Sequence, residues 1–294
     1  MRVAITGSTG LIGSALVQAL RWRGDEVLRL TRRAAAGPDE RQWWPDQGRI
    51  DGPGLADVDA VVNLAGEPLT GRWTDKRKSE ILSSRVDATR TVVAALTPDG
   101  RCQRLLNGSA IGYYGDAGDT ELDEDSPRGT GFLADVVVRW EEAAAGAPVS
   151  TALLRTGLVM TPRGGFLGQI LGLFQLGLGG RMGDGSQWQA WISLDDQVAA
   201  MIHLLTSPVE GPVNLTAPQP VTNKRLTAAL GQALRRPTVL PLPVPAVRIV
   251  MGDEMVDQTM LASQRVLPRR LLADHFSFLD MEIEPALDRL LANE

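Results

Sequence analysis

The feature that most constrains this chain is a string of glycines close to its N-terminus. Residues 6–13 read Thr6-Gly7-Ser8-Thr9-Gly10-Leu11-Ile12-Gly13, directly after an apolar run and directly before a helical pattern. In such a unit the first glycine permits a tight turn, the second lets the backbone approach a pyrophosphate, and the third lets helix and strand pack closely. The free N–H groups of the helix N-terminus favour an anion there. The string therefore predicts a dinucleotide site built by Gly7, Ser8, Thr9, Gly10, Leu11, Ile12 and Gly13.

Short β-rich runs alternate with helical patterns along most of the chain. The predicted strands lie at residues 2–6, 26–31, 60–64, 104–107, 152–155 and 213–215. Apolar residues recur at helical spacing between them, first over 11–20 and again over 81–96. Strand–helix alternation is typical of an α/β protein with a parallel sheet wound on both faces, which binds ligands at the carboxyl ends of its strands. We therefore expect a Rossmann-type doubly wound sheet.

The composition changes in the second half of the chain. Glycines crowd residues 164–185, which predicts loops that fold over a ligand at about 160–195. Four prolines between 237 and 245 predict a stiff linker, because each restricts the residue before it. Amphipathic helices are expected at 256–267 and 285–291. The sequence thus predicts a dinucleotide-binding domain at 1–236 with inserted substrate-loop elements, followed by a small helical C-terminal lobe at 237–294.

Charge and cysteine content narrow the classes of partner. The chain has 30 basic and 35 acidic residues and a formal net charge of −5, which argues against a nucleic-acid partner. Its single cysteine, Cys102, excludes an intrachain disulfide and argues against a cysteine-based metal site, so no metal is expected. No apolar run has the length of a membrane span, and the N-terminus lacks the layout of a signal peptide. We expect a cytoplasmic protein that acts on a small molecule.

The end of the second predicted strand bears on which dinucleotide binds. It reads Thr31-Arg32-Arg33, where an NAD-specific site usually has an Asp or Glu for the ribose hydroxyls. Arginine attracts a 2′-phosphate through charge-assisted hydrogen bonds, whereas a carboxylate repels it. NADP(H) is therefore the predicted cofactor; the alternative is a pair of solvated surface arginines.

Two further segments are candidates for cofactor contacts. Leu64, Ala65 and Gly66 close the third strand, where backbone atoms would border the adenosine half. Arg85 shares one helix face with Ile81 and other residues that should point at the sheet. An unpaired buried charge is costly, so this arginine needs a partner. A cofactor phosphate is one candidate, and Glu80 or another carboxylate is the other.

These residues, taken with Gly108–Gly115 (GSAIGYYG), resemble the extended and atypical short-chain dehydrogenase/reductases. The similarity is greatest to the branch called the nucleoside-diphosphate-sugar epimerase-like family, which has a small C-terminal domain. Other similar stretches are 63–67 (NLAGE), 191–195 (WISLD), 212–216 (PVNLT) and 263–268 (SQRVLP). The resemblance implies a Rossmann domain and NADP(H). It also implies cofactor contacts at Thr31, Arg32, Leu64, Ala65, Glu80, Arg85 and Gly157.

The usual catalytic pair of this superfamily is absent. Active members carry Tyr-x-x-x-Lys on the helix after the fourth strand's loop, where the lysine lowers the tyrosine pKa. Residues 116–150 contain neither a tyrosine nor a lysine. The chain's two tyrosines, Tyr113 and Tyr114, both lie before this helix, so one of them is a candidate displaced acid with Ser109 as its partner. If Tyr114-Gly115 matches the superfamily's Tyr-Gly, the helping serine's position falls on Ala110; the alternative is a loop that packs around the nicotinamide and substrate.

Extended members of the family gather substrate contacts after the glycine-rich stretch, which makes Gln187, Trp191 and Asp195 candidate substrate residues here. Two functions remain open. One is an NADP-dependent oxidoreductase or epimerase-like enzyme with a rearranged acid and base. The other is a non-catalytic protein that binds NADP(H) as a sensor or scaffold. The cofactor motifs favour both equally.

Overall fold

The computed structural model describes residues 1–292 and contains one large sheet. The strands are β1 (Arg2–Thr6), β2 (Glu26–Thr31), β3 (Glu40–Trp44), β4 (Arg49–Ile50), β5 (Ala60–Asn63), β6 (Arg104–Ala110), β7 (Glu121–Leu122), β8 (Ser150–Thr156), β9 (Leu158–Thr161), β10 (Trp188–Gln189), β11 (Trp191–Ser193), β12 (Gly211–Leu215), β13 (Val221–Thr222) and β14 (Arg265–Val266). In the large sheet seven strands run parallel in the order β12-β8-β6-β5-β1-β2-β3, and β4 pairs antiparallel with β3 at the edge. The strand order reverses beside β1, which creates the crevice where such sheets bind ligands.

Helices cover both faces of this sheet. They are α1 (Leu11–Trp22), α2 (Asp75–Ala94), α3 (Phe132–Ala144), α4 (Gly165–Gln175), α5 (Leu194–Leu204), α6 (Asn223–Leu234), α7 (Val244–Met251), α8 (Asp253–Met255), α9 (Arg269–Ala273) and α10 (Ile283–Leu291). Helices α1 and α5 pack together on one face, and α2 and α3 on the other. The central strands are apolar on both sides, because Val3, Ala4 and Ile5 have no exposed surface. The predicted doubly wound fold is confirmed.

The C-terminal region is tied to the large domain at several points. Helices α4, α6 and α10 share one apolar core, and β14 pairs with β7, which precedes α3. A π-helix at Val256–Met260 follows α8. Inside it, Gln258 Oε1 accepts a hydrogen bond of 3.0 Å from the Leu133 backbone N–H. Helix α3 has no side-chain cap of its own, so the C-terminal region supplies one.

The structure corrects several sequence-based expectations. The single helix predicted at 256–267 is wrong, because the π-helix ends at Met260 and the strand β14 follows. The glycine-rich stretch is not all loop, since it contains α4. Strand β3 was not predicted, and its sequence ERQWW lacks a regular alternation of apolar and polar residues. None of the helices described for residues 1–292 combines the length and apolar character needed to cross a membrane.

Candidate functional site

The glycine string forms the turn between β1 and α1, and its three glycines have different roles. Gly7 has a φ of +63°, and a Cβ there would lie 2.6 Å from the Leu64 carbonyl oxygen. A Cβ on Gly13 would lie 2.2 Å from the Gly7 carbonyl oxygen, so Gly13 is required by close packing. A Cβ on Gly10 would meet only the Gly7 oxygen, at 3.3 Å. Contacts within the protein therefore require glycine at positions 7 and 13, whereas the space in front of Gly10 is open.

A buried polar network holds the end of β5 against this turn. Thr6 Oγ1 donates to Asn63 Oδ1 at 2.6 Å and accepts from the backbone N–H groups of Leu64 and Ala65, at 2.9 and 3.0 Å. Asn63 Nδ2 continues the network to Asn107 Oδ1 at 2.7 Å. Because every member is paired, the backbone at residues 64–65 is fixed beside the glycine turn.

One cleft extends from the glycine turn toward β2 and has a volume of about 770 Å³. Its lining includes the predicted cofactor residues Gly7, Ser8, Thr9, Gly10, Thr31, Arg32, Arg33, Leu64, Ala65 and Gly66. Arg33 Nη2 is held at 2.7 Å by Glu40, whose side chain is 1% exposed. The Arg32 side chain is 78% exposed, and its nearest carboxylate, on Glu67, is 3.7 Å away. Arg32 is thus the guanidinium more available to a ligand in this cleft.

A second cavity, of about 540 Å³, extends from the same turn toward the carboxyl ends of β6 and β8. Gly7, Gly10 and Leu64 line both spaces, so the two meet at the glycine turn. The predicted residues Leu11, Ile12, Gly13, Arg85, Ser109 and Gly157 also line this second cavity. Together the two spaces bring most of the predicted cofactor residues into one continuous channel, with the turn at its centre.

Arg85 lies in the cavity lining without a carboxylate on its guanidinium. Its Nη1 donates to the backbone oxygens of Glu67 and Ile81, each at 3.0 Å. Burial lowers the pKa of Arg85 to about 10, against a smaller raising effect of the Glu67 charge. Glu80, which was one of the alternative partners for Arg85, forms ion pairs with Arg77 and Lys76 instead. Glu80 lies outside the lining of both spaces, although a cofactor contact was expected there.

Helix α3 lines the cavity with apolar side chains. Leu133, Val136, Val137 and Trp140 are spaced three or four residues apart along two helical turns, so they share one face, and all four line the cavity. The Trp140 indole lies against β6, where a Cβ on Gly108 would be 2.7 Å from the ring. Its Nε1 donates to Thr89 Oγ1 at 3.0 Å. The α3 face that borders the cavity therefore contains no group that exchanges protons.

Ser109 lies in the cavity lining, but its hydroxyl hydrogen is directed at Glu141, which lies outside the lining. Ser109 Oγ donates to Glu141 Oε1 at 2.6 Å. Glu141 in turn accepts two hydrogen bonds from Arg155, at 2.8 and 2.9 Å. Burial acts to lower the pKa of Arg155, but the hydrogen bond and charge of Glu141 outweigh it and raise that pKa. The ion pair fixes Ser109 so that its lone pairs, rather than its proton, face a ligand.

The two tyrosines lie away from the cavity, which corrects the expectation that one is a displaced acid. The 3₁₀-helix at Ile111–Tyr114 turns Tyr114 into the core, where its hydroxyl donates to Asn214 Oδ1 at 2.7 Å. Burial raises the pKa of Tyr114 to about 12. Tyr113 stacks on the guanidinium of Arg155, 3.5 Å from the ring centre. Neither ring lines the cavity, so of the three predicted catalytic residues only Ser109 borders it.

The three predicted substrate residues also lie outside the lining of this cavity. Gln187 is buried and donates to the backbone oxygens of Met182 and Met260. Trp191 is fully buried and donates to the Gln219 backbone oxygen at 2.9 Å. Asp195 pairs with Arg289 at the surface, at 2.7 Å. None of these three residues lines the cavity.

Other residues, which were not predicted to belong to a site, also line the cavity. They are Leu69, Ile111, Leu133, Val136, Val137, Phe166, Gln258, Thr259 and Gln264. The apolar stripe of α3 was readable as helical spacing, whereas no local signal brings Gln258 and Gln264 to this place.

Comparisons with known proteins agree with this architecture. The family model of the NAD dependent epimerase/dehydratase family matches residues 3–216, and that of a domain of unknown function (DUF1731) matches residues 242–290. An epimerase family protein of Mycobacterium tuberculosis is 46% identical over 290 residues, covering 97% of this chain and 96% of that protein. The resemblance inferred from the sequence motifs is therefore confirmed.

Two solved structures are similar over the whole chain. The human epimerase family protein SDR39U1, crystallised with NADPH, is 34% identical with a TM-score of 0.91 and full coverage of both chains. A nucleoside-diphosphate sugar epimerase from Corynebacterium glutamicum is 33% identical with a TM-score of 0.79, covering all of this chain and 59% of that one. The chain therefore belongs to the NAD-dependent epimerase/dehydratase family and carries the DUF1731 domain at residues 242–290.

Proposed function

We propose that this protein binds NADP(H) in the continuous channel and uses it as an oxidoreductase. The observation that supports the proposal most directly is the opening in front of Gly10. The protein does not itself require glycine there, and the space adjoins a helix N-terminus without a side-chain cap. A pyrophosphate is the group that such a position accommodates. The human relative that was crystallised with NADPH gives independent support.

The residues of the channel divide between the two halves of the cofactor. Arg32, with Arg33 behind it, would hold the 2′-phosphate through charge-assisted hydrogen bonds. Leu64 and Ala65 would border the adenosine half, and Gly157 and Ser109 the nicotinamide half. Arg85 is the remaining cation at the junction. When bound, NADPH supplies hydride. The protein's own contribution is to position that ring beside the apolar face of α3.

Calorimetric titration of the protein with NADPH and with NADH tests the proposed cofactor. We expect NADPH to bind more tightly, and Arg32→Asp to weaken NADPH binding by about 1.5–3 kcal/mol, the usual contribution of a hydrogen bond to a charged group. Arg236→Asp is the matched control, because Arg236 is exposed and lines neither space. Tighter binding of NADH by the unmodified protein would contradict the proposal.

A second candidate is a protein that holds NADP(H) without turnover. The observation that favours it is the lack of a proton donor: in the part of the chain that the structure describes, Arg85 is the one ionisable side chain lining the cavity. NADPH carrying deuterium at C4 separates the two candidates. Transfer of the label to any acceptor supports the oxidoreductase, whereas tight binding without transfer across a broad panel of acceptors supports the sensor or scaffold.

A further inference from the structure

We infer that the cavity beside α3 binds a small, largely apolar acceptor such as an α,β-unsaturated ketone, and not a sugar nucleotide. The inference rests on the proposed NADP(H) function, because it concerns the second ligand of the same site. Three properties of the cavity carry it: the nature of its walls, the state of its hydrogen-bond donors and its charge.

The walls are apolar on the side that a substrate would occupy. Leu133 and Val137 face the cavity with the four-residue spacing of the absent Tyr-x-x-x-Lys pair. Leu69 and Phe166 extend the same surface from the loop before α2 and from α4. A sugar placed against these side chains would lose its water without gaining hydrogen bonds, which is costly for each hydroxyl group.

Most of the uncharged polar side chains in the lining already use their donor hydrogens within the protein. Ser109 donates to Glu141, as described above. Gln264 donates to the backbone oxygens of Ile111 and Gly115, at 3.1 and 2.9 Å. Thr259 donates to the Met255 backbone oxygen at 2.6 Å, and Thr156 donates to the Leu154 backbone oxygen at 3.2 Å.

Among the uncharged polar side chains that the structure describes in this lining, Gln258 keeps part of its donor capacity. Its Nε2 donates to Glu254 at 3.4 Å, which leaves its second amide hydrogen for a ligand. One uncharged donor suits one carbonyl oxygen and is too little for the many acceptors of a sugar nucleotide. Sites that select polar ligands present several unpaired groups, because those groups are left unsatisfied by the wrong ligand.

The charge of the cavity leads to the same conclusion. Among the described residues of its lining, Arg85 is the one charged side chain, and the cofactor's own phosphates compete for it. A second diphosphate would meet the negative charge of the first without a cation to offset it. A neutral ligand avoids this repulsion.

The missing proton donor favours a conjugated acceptor. Hydride from NADPH forms a C–H bond at the β-carbon while the C=C electron pair moves to the carbonyl oxygen, leaving NADP⁺ and an enolate. The charge of an enolate is spread over oxygen and carbon, so water can supply the proton at the α-carbon. Reduction of a saturated ketone instead gives a localised alkoxide, which needs the acid that this cavity does not provide.

The test compares three probes on the cofactor-loaded protein. Benzylideneacetone is the enone, benzylacetone is its saturated ketone, and UDP-glucose is the sugar nucleotide. Calorimetry on the NADP⁺ complex measures binding, and NADPH deuterated at C4 reports transfer to the β-carbon. We expect both ketones to bind more tightly than UDP-glucose and label to appear in benzylacetone formed from the enone alone.

Val137→Thr adds a hydroxyl to the cavity wall at nearly constant volume. We expect it to weaken benzylideneacetone binding about tenfold, since burying an unpaired hydroxyl costs about 1.4 kcal/mol or more. Val138→Thr, one residue on and outside the lining, is the control and should leave binding unchanged. Cofactor affinity is measured for each variant, so that loss of folding is recognised.

Each failure has a different meaning. If NADPH does not bind the unmodified protein, the proposed function itself is wrong. If NADPH binds but UDP-glucose binds more tightly than both ketones, or neither ketone binds, the inferred substrate class is wrong while the cofactor proposal stands. Equal effects of Val137→Thr and Val138→Thr would also overturn the assignment of the cavity.

Discussion

Alanine at two glycines of the same turn should separate cofactor binding from folding. A Cβ on Gly13 would lie 2.2 Å from the Gly7 carbonyl oxygen, well inside van der Waals contact, so the turn or α1 must shift. Overpacking of this kind costs typically 1–3 kcal/mol and sometimes more. We therefore expect Gly13→Ala to lower the free energy of unfolding by about 3 kcal/mol.

Gly10→Ala should behave differently. Gly10 is the N-cap of α1 with φ −75° and ψ 173°, a conformation that alanine adopts freely. The added Cβ meets one protein atom at 3.3 Å, so the stability of the cofactor-free protein should change by less than about 1 kcal/mol. The methyl group would instead occupy the space proposed for the pyrophosphate, and NADPH affinity should fall at least tenfold, about 1.4 kcal/mol.

Urea unfolding of the cofactor-free proteins and calorimetric titration with NADPH measure the two effects separately. The reasoning fails if Gly10→Ala binds NADPH like the unmodified protein, because the open space then has another purpose. It also fails if the two variants lose equal stability, because the distances would then not distinguish the two glycines.

Three further predictions concern the polar network behind the cavity, all measured by urea unfolding. Tyr114→Phe should lower the free energy of unfolding by about 1–3 kcal/mol, because it leaves Asn214 and Arg155 without one hydrogen-bond partner each. It should not change NADPH affinity. An unchanged urea midpoint would show that these two hydrogen bonds do not stabilise the fold. Glu141→Gln should cost about 3–5 kcal/mol because it strands the buried Arg155 charge, and a loss below 1 kcal/mol contradicts that view. Burial raises the pKa of Glu124, so the stabilising contribution of this group is present below its unfolded pKa and is lost as the pH rises through its folded pKa. The stability of Glu124→Gln, compared with that of the unmodified protein at the same pH, should therefore be more favourable at pH 7 than in acid. Parallel stability profiles of the two proteins against pH would refute this.

The parts of the site that depend on short sequence spacing could be predicted. The glycine string, Arg32 and the residues after β5 are local features, since each follows a strand directly and its position in a doubly wound sheet is fixed by topology. The bounds of the central strands were also predicted to within a few residues, because strands buried on both faces are continuous apolar runs.

The residues of the second cavity could not be predicted in this way. Whether Tyr114 points into the cavity or the core depends on the 3₁₀-helix at Ile111–Tyr114 and on Asn214, 100 residues away. The family's usual positions also gave no sign of the environments of Trp191 and Asp195, which here are a packed core and a surface ion pair. Side-chain direction at the end of a strand is a tertiary property, which residue spacing does not encode.

The cap that Gln258 provides for α3 joins the two regions matched by separate family models. Because the same side chain and the same helix line the cavity, undocking of the C-terminal region and emptying of the cavity are thermodynamically linked. A ligand that binds the cavity must then slow amide hydrogen exchange in residues 256–264, and by reciprocity any change that loosens this region must weaken the ligand by the same free energy. The cap therefore couples the residues around Gln258, rather than the whole of 242–290, to the face of α3 that lines the cavity.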